Sequence, residues 1–288
     1  MATIVGGLGL SHVPAIGGAI KRHAEHDPYW RPFFDGLPPI RRWLADTRPS
    51  VVVMFYNDHG LNFFLDKMPT FAIGAAPEYR NADEGWGLPV QRPFRGNPEL
   101  SWHVIEHLVA QEFDITMCQE MLVDHAFTVP MQLLWPGIAE WPVAVVPIAI
   151  NTVQHPLPSP GRCYKLGRAV GEALAQWTGK ERVAIVGTGG LSHQLDGKRA
   201  GFINKEFDLY CLDALTNDIQ ALTQLTIPEL VELSGTQGVE LLNWIAMRGA
   251  LPATVEKSHV SYHIPISNTA AASLLLTEPA AKSREQAA

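Results

Sequence analysis

Four short apolar segments, each followed by a loop that contains Gly, Asn or His, constrain the fold of this chain more than any other feature. They are rich in β-branched residues and lie at 3–8, 51–56, 143–150 and 182–187. Such segments are typical of buried strands. Helical patterns lie between or after them, at 98–111, 163–176, 204–217, 227–234 and 237–248. The alternation predicts an α/β fold with a central, mostly parallel or mixed sheet flanked by helices.

The length of 288 residues is within the range that one α/β domain reaches. No long linker divides the sequence, so we expect a single domain over residues 1–276. The last stretch, residues 277–288, consists of small and polar residues and is predicted to be a flexible tail.

Composition and charge exclude several classes of protein. The net charge is −7, and no run of Lys or Arg exceeds two residues, which argues against nucleic-acid binding. No apolar run approaches the length of a membrane span, and the first residues lack a secretory signal pattern, so we expect a cytoplasmic protein. Cys118, Cys163 and Cys211 are too far apart for a CxxC metal motif, so His and carboxylate side chains must hold any metal.

Histidines follow the predicted strands at corresponding positions. His12 and His59 come directly after two of them, His193 follows a third after a short glycine loop, and His125 follows another short apolar stretch. Because the carboxyl ends of strands in an open α/β sheet gather polar groups from several loops, we expect the active site to lie there and these four histidines to share it.

Asn57 and Asp58 end the apolar run VVVMFY abruptly and are expected to orient His59 or to line the same pocket. His259 and His263 flank a predicted late strand and are also candidates for the pocket. The remaining histidines are interpreted as surface residues: His23, His26, His103, His107 and His155.

Glu240 is a carboxylate on the otherwise apolar helical segment 237–248. Burying a carboxylate is costly unless it is paired, protonated or bound to a metal. Two histidines and one glutamate would form the facial triad of a non-haem ferrous enzyme. The residue pattern fits a solvent-facing glutamate equally well. It also leaves open a zinc or manganese hydrolase in which His193 activates water, and a non-catalytic binding subunit.

Ten short motifs carry a resemblance to a known family. They are SHVPAIG (11–17), YNDH (56–59), PTFAIG (69–74), ADEGWG (82–87), VDH (123–125), GTGGLSHQL (187–195), RAGFINKEFD (199–208), GVELLNW (238–244), MRGAL (247–251) and YHIPISNTA (262–270). Together they resemble the class III extradiol dioxygenases, and among these the catalytic β subunits of the protocatechuate 4,5-dioxygenase type and their gallate-cleaving relatives. The resemblance covers residues 3 to 276, with the motifs in the same order.

The resemblance implies specific roles for the strand-end residues. It implies an Fe(II) site formed by His12, His59 and Glu240. It also implies that His193 is the catalytic base and that His125 is a second catalytic histidine near the oxygen and the substrate.

The resemblance further implies that Ser267 and Asn268 contact a carboxylate group of the substrate, and we add Asn57 as a substrate-binding residue. The implied reaction is Fe(II)-dependent extradiol (meta) cleavage of a carboxylated catechol such as protocatechuate with O2, in aromatic catabolism. The product would be a hydroxymuconate semialdehyde. Gallate and methylgallate are the alternative substrates.

Partners are also implied. The protocatechuate enzymes carry a small α subunit over the active site, and gallate-type relatives carry an equivalent C-terminal segment. This sequence has no such segment after residue 276, so we expect a separate α subunit or no cover, and an oligomer. The sequence departs from the family at Ala126, where Gly is common, and this change is expected to reshape the oxygen side of the pocket.

Overall fold

Strands and helices alternate along most of the chain. The computed structural model describes residues 1–85, 87–266 and 268–279. The strands are β1 Thr3–Leu10, β2 Val51–Tyr56, β3 Phe71–Gly74, β4 Glu78–Asn81, β5 Phe94–Arg95, β6 Thr116–Cys118, β7 Leu122–Val123, β8 Ala144–Ile150, β9 Arg182–Thr188, β10 Glu256–Ile266 and β11 Thr269–Thr277. The helices are α1 Pro14–Lys21, α2 Arg31–Phe34, α3 Pro38–Thr47, α4 Pro98–Ala110, α5 His125–Leu134, α6 Pro160–Gln176, α7 Lys205–Asn217, α8 Ile219–Thr223, α9 Ile227–Ser234 and α10 Leu241–Gly249. Two short 3-10 helices lie at Gly197–Arg199 and Gly238–Glu240.

Eight strands form one mixed sheet in the order β10-β11-β1-β9-β2-β8-β3-β6, and β5, β4 and β7 form a small second sheet. The strands β1, β9, β2 and β8 are neighbours and run parallel. Their carboxyl ends therefore lie at the same edge of the sheet. The flanking strands β11 and β3 run antiparallel to this group. The prediction of an α/β domain with a mixed central sheet flanked by helices is confirmed.

Both faces of the sheet are covered, which explains why its central strands are continuous apolar runs. Every residue of β2 is buried. Val51, Val53 and Phe55 belong to the core cluster that includes residues of α4, α6, α7 and α10. Val52 and Met54 belong to the opposite cluster, with residues of α1, α3 and α5.

The four predicted strands correspond to β1, β2, β8 and β9. The five predicted helices correspond to α4, α6, α7, α9 and the 3-10 helix that leads into α10. The sequence did not predict α1 or α3, because glycines weaken the helical pattern of α1 and two prolines open α3. Proline is nevertheless favourable in the first turn of a helix.

The last strand, β11, ends at Thr277, the first residue of the predicted tail. Residues 280–288 of that tail lie outside the described residues. Within the described part of the chain, no helix is both long and apolar enough to cross a membrane.

The helix α10, which follows Glu240, is held close to α6 by a glycine. A Cβ atom added at Gly167 would lie 1.9 Å from the carbonyl oxygen of Ala246, far inside any real contact. The two backbones therefore pack directly against each other. This contact fixes the position of α10, the helix that follows Glu240.

Substitution of this glycine is expected to destabilise the fold. Gly167→Ala should lower the free energy of unfolding by about 1–3 kcal/mol, because the methyl group overpacks the helix contact. Gly18→Ala, in α1, is the matched control, because its Cβ would meet only the flexible side chain of Arg22 at 3.1 Å. Urea denaturation measures both. A Gly167→Ala variant as stable as the parent would contradict the packing argument.

Candidate active site

A cavity of about 790 Å³ lies at the carboxyl edge of the parallel strands. His12, His59 and His193, which follow β1, β2 and β9, line it. Thr152, which follows β8, also lines it. Parallel strand order therefore brings together side chains that are as many as 181 residues apart in sequence.

Two imidazoles and one carboxylate converge in this cavity. The Oε1 atom of Glu240 lies 3.2 Å from Nε2 of His12 and 3.5 Å from Nε2 of His59. The Nδ1 atom of His12 lies 3.1 Å from the hydroxyl oxygen of Thr188, at the end of β9. Each Nε2 atom thus points toward the same carboxylate oxygen.

Glu240 is only 6% exposed. Its Oε2 accepts a hydrogen bond of 2.8 Å from the main-chain N–H of Gly190, and its Oε1 accepts one of 3.1 Å from Asn57. Burial alone would raise the pKa of Glu240, but His12 and His59 outweigh it and hold the pKa well below its usual range. The residue before Gly190 must be glycine, because Gly189 has φ of +113° and its Cβ would lie 2.6 Å from that of Glu240.

Asp124 orients His59. Its Oδ2 accepts hydrogen bonds from the main-chain N–H of His59 at 2.8 Å and from Nδ1 at 2.9 Å. Burial disfavours the charged form of each side chain. The attraction between the positive imidazole of His59 and the carboxylate of Asp124 outweighs this, so the pKa of His59 is raised and that of Asp124 is lowered. Because Nδ1 carries the proton of this bond, Nε2 of His59 is the nitrogen directed at Glu240, as in carboxylate–histidine–metal arrangements.

Asn57 is fixed by a second amide. Asn243, on α10, donates from Nδ2 to the Oδ1 of Asn57 at 3.0 Å and to the carbonyl oxygen of Thr188 at 2.8 Å. The amide nitrogen of Asn57 consequently faces Glu240 and lies 3.1 Å from Nε2 of His59. Asp58 has a different role, since its carboxylate accepts main-chain N–H groups of the loop over residues 60–63.

His193 lies on the other side of Glu240. Its Nδ1 donates a hydrogen bond of 2.9 Å to the carbonyl oxygen of Leu191, because a carbonyl can only accept. Its Nε2 lies 3.9 Å from Oε2 of Glu240. The preceding residue, Ser192, is held by the buried carboxylate of Asp208 through its N–H at 2.8 Å and its hydroxyl at 2.7 Å.

His125 is the first residue of α5 and is buried. Glu84 accepts hydrogen bonds from its main-chain N–H at 2.7 Å and from its Nδ1 at 2.5 Å. Burial lowers the pKa of His125, and the nearby imidazole of His59 lowers it further. The centroid of its ring lies 4.1 Å from that of His59 and 5.3 Å from that of His12.

Glu84, Asp124 and His125 form one group of potential metal donors, and two other sets, both containing His12 and His59, lie at the centre of the cavity. Nitrogen atoms of His12, His59 and His125 lie within 4.8 Å of one another. Glu240 forms the alternative third donor, through the 3.2 Å and 3.5 Å approaches to His12 and His59. Both sets share the two histidines that follow β1 and β2. Imidazole and carboxylate donors together suit divalent ions such as Fe(II).

Most of the residues predicted from sequence to form the site lie at this one cavity. They are His12, Asn57, His59, His125, His193 and Glu240. Asn268 is exposed and is not among the lining residues, although Thr269 is. Ser267 lies outside the described residues.

His259 and His263, the two other candidates for the pocket, lie within β10 and are not among the described residues that line the cavity. His155 is exposed, as predicted, but it also lines the cavity because it follows the end of β8.

The sequence did not predict four polar partners of the site residues: Glu84, Asp124, Asp208 and Asn243. All four stand within motifs of the family resemblance, namely ADEGWG, VDH, RAGFINKEFD and GVELLNW, and this was the available signal.

Comparison with known proteins identifies the family of this chain. Residues 6–272 match the family described as the catalytic LigB subunit of aromatic ring-opening dioxygenase. The chain is 44% identical over 195 residues to a gallate dioxygenase of Pseudomonas putida, an alignment that covers 68% of this chain and 57% of that protein. It is 31% identical over 291 residues to a 2,3-dihydroxyphenylpropionate/2,3-dihydroxicinnamic acid 1,2-dioxygenase of Rhodococcus jostii, covering 85% and 88% of the two chains.

The match thus spans just over half of the gallate dioxygenase. A crystal structure of an uncharacterized protein from Escherichia coli K12 has a TM-score of 0.58 and 14% identity, and it covers 94% of this chain and 99% of that chain. This likeness concerns the fold alone. Since the family match extends over nearly the whole chain, the protein belongs to the LigB family of extradiol-type, aromatic ring-cleaving dioxygenases.

Proposed function

We propose that this chain holds Fe(II) through His12, His59 and Glu240 and catalyses extradiol cleavage of a carboxylated catechol with O2. The observation that carries the proposal is the approach of one buried carboxylate oxygen to two imidazole nitrogens, at 3.2 Å and 3.5 Å, in the cavity of a LigB-family chain. With protocatechuate as substrate, the product would be a hydroxymuconate semialdehyde.

The choice of Glu240 over His125 as the third ligand rests on charge. Glu240 is a buried anion, and its close charged partners among the described residues are imidazoles, with no Lys or Arg within salt-bridge distance. A divalent cation between it and two neutral imidazoles would compensate that charge. When bound, Fe(II) would supply the redox chemistry that lets dioxygen react with an aromatic ring.

His193 is proposed to act as the general base. Its Nδ1–H is held by the carbonyl oxygen of Leu191, so Nε2 is the nitrogen that can accept a proton. That atom lies 3.9 Å from Oε2 of Glu240, which places it beside the proposed metal position. A catechol hydroxyl bound there would lie within reach of Nε2, and the same nitrogen could return the proton to the product.

His125 is proposed to form a hydrogen bond to dioxygen or to the substrate beside it. It lines the same cavity as His193, and its ring packs against that of His59. The adjacent Ala126, where the family commonly has glycine, is fully buried next to His125.

A carboxylated catechol is the proposed substrate class, with protocatechuate first. The similarity to a gallate dioxygenase favours gallate as the second candidate. The described lining residues include no Lys or Arg, so a substrate carboxylate would depend on neutral donors and imidazoles. Four further points stay predictions. They are recognition of the substrate by Ser267 and Asn268, the presence of a small α subunit, the formation of an oligomer and a cytoplasmic location.

Oxygen consumption tests the proposed reaction. The anaerobically purified, Fe(II)-loaded chain should consume O2 with protocatechuate or gallate and form a coloured ring-fission product, because both substrates carry adjacent hydroxyls and a carboxylate. An oxygen electrode and visible absorbance measure the two together, with catechol as the substrate lacking the carboxylate and a zinc-loaded sample as the metal control. Ester or amide hydrolysis without O2, or no uptake with any of the catechols, would contradict the proposal.

The general-base role is tested by substitution. His193→Ala should keep its iron but lose about 10²–10⁴-fold in turnover, the usual contribution of a positioned acid–base group. Steady-state kinetics and metal analysis measure the two quantities. His26→Ala, which removes an exposed imidazole, is the matched control. An unchanged turnover rate for His193→Ala would remove it from the mechanism.

A further inference from the structure

The segment over residues 82–87 carries a family-like motif to which the proposed reaction assigns no role. Glu84, in this segment, has a side chain that is only 8% exposed and that contacts His125. We propose that Glu84 is a positioning residue that fixes the imidazole of His125 with Nδ1 protonated and Nε2 directed to the cavity. This inference rests on the proposed function, in which His125 contacts the reactants.

The contact has two points. One carboxylate oxygen of Glu84 accepts the main-chain N–H of His125 at 2.7 Å, and the other accepts Nδ1–H at 2.5 Å. Because a carboxylate only accepts hydrogen bonds, Nδ1 must carry a proton. The main-chain bond fixes the carboxylate relative to α5, and the ring bond then fixes the rotation of the imidazole relative to the same helix.

The two histidines proposed to contact the reactants are therefore held by different acceptors. His193 donates from Nδ1 to the neutral carbonyl of Leu191, whereas His125 donates from Nδ1 to the carboxylate of Glu84. Hydrogen bonds to an ionised acceptor are shorter and about twice as strong as neutral ones. His125 is thus the more tightly oriented of the two, as expected of a group that holds a reactant in place.

A purely structural role for Glu84 would be to cap α5. It accepts the first N–H of that helix, and an acidic side chain at a helix N-terminus is stabilising. Asp124 already serves as the N-cap and accepts the N–H of Ala126. Glu84→Gln separates the two roles. Its amide oxygen can still accept the main-chain N–H, whereas its NH2 group cannot accept Nδ1–H.

The test uses the full chain in three variants: Glu84→Gln, Glu84→Asp, which keeps a shorter carboxylate, and Asp83→Asn as the matched control. Asp83 is exposed in the same segment, and its carboxylate accepts a local N–H, from Gly85. Turnover and KM are measured on the iron-loaded enzyme with protocatechuate and gallate. The proton on His125 Nδ1 is followed by ¹⁵N NMR of the diamagnetic zinc-loaded chain, assigned with His125→Gln.

Glu84→Gln is expected to keep its metal and its KM but to lose about tenfold or more in kcat, as for other residues that orient an active-site histidine. Its Nδ1–H signal should disappear, Glu84→Asp should keep the signal and more of the turnover, and Asp83→Asn should behave as the parent.

A persistent Nδ1–H signal or an unchanged kcat in Glu84→Gln would overturn the proposal. If Glu84→Gln does not fold, an Nδ1–H signal absent from Glu84→Asp would overturn it. A parent chain without ring cleavage would contradict the proposed function, while the NMR signal still reports on the contact itself.

Discussion

The buried carboxylate of Glu240 is the constraint around which the rest of the site is organised. A carboxylate taken out of water needs compensating charge and hydrogen bonds. Here these come from His12, His59, Asn57 and the N–H of Gly190. They reach Glu240 from the ends of β1, β2 and β9, so the parallel arrangement of these strands is a requirement of the chemistry as well as of the fold.

The polar groups around this carboxylate are themselves held by a further layer of polar groups. Asp124 orients His59, Asn243 orients Asn57, and Asp208 holds the backbone that precedes His193. A histidine that donates from Nδ1 to a fixed acceptor presents a defined Nε2 to the cavity. The apolar packing beneath, with both faces of the sheet covered, supplies the rigid support that such orientation needs.

The sequence could predict those site residues that stand at the end of a recognisable strand pattern. An apolar β-branched run that stops at His12 or His59 predicts a strand and a polar residue at its end. Glu84 and His155 have no such pattern, since they lie in irregular segments whose path depends on tertiary contacts. Glu240 was ambiguous for a related reason. Helical periodicity alone does not tell whether a single carboxylate faces solvent or a metal.

The most direct test of the account is to locate the metal. Crystals of the Fe(II)-loaded chain, grown without oxygen, would give an anomalous difference peak at the iron absorption edge. The account predicts this peak within coordination distance of Nε2 of His12, Nε2 of His59 and a carboxylate oxygen of Glu240. A peak coordinated by His12, His59 and His125, with Glu240 outside the coordination sphere, would contradict it.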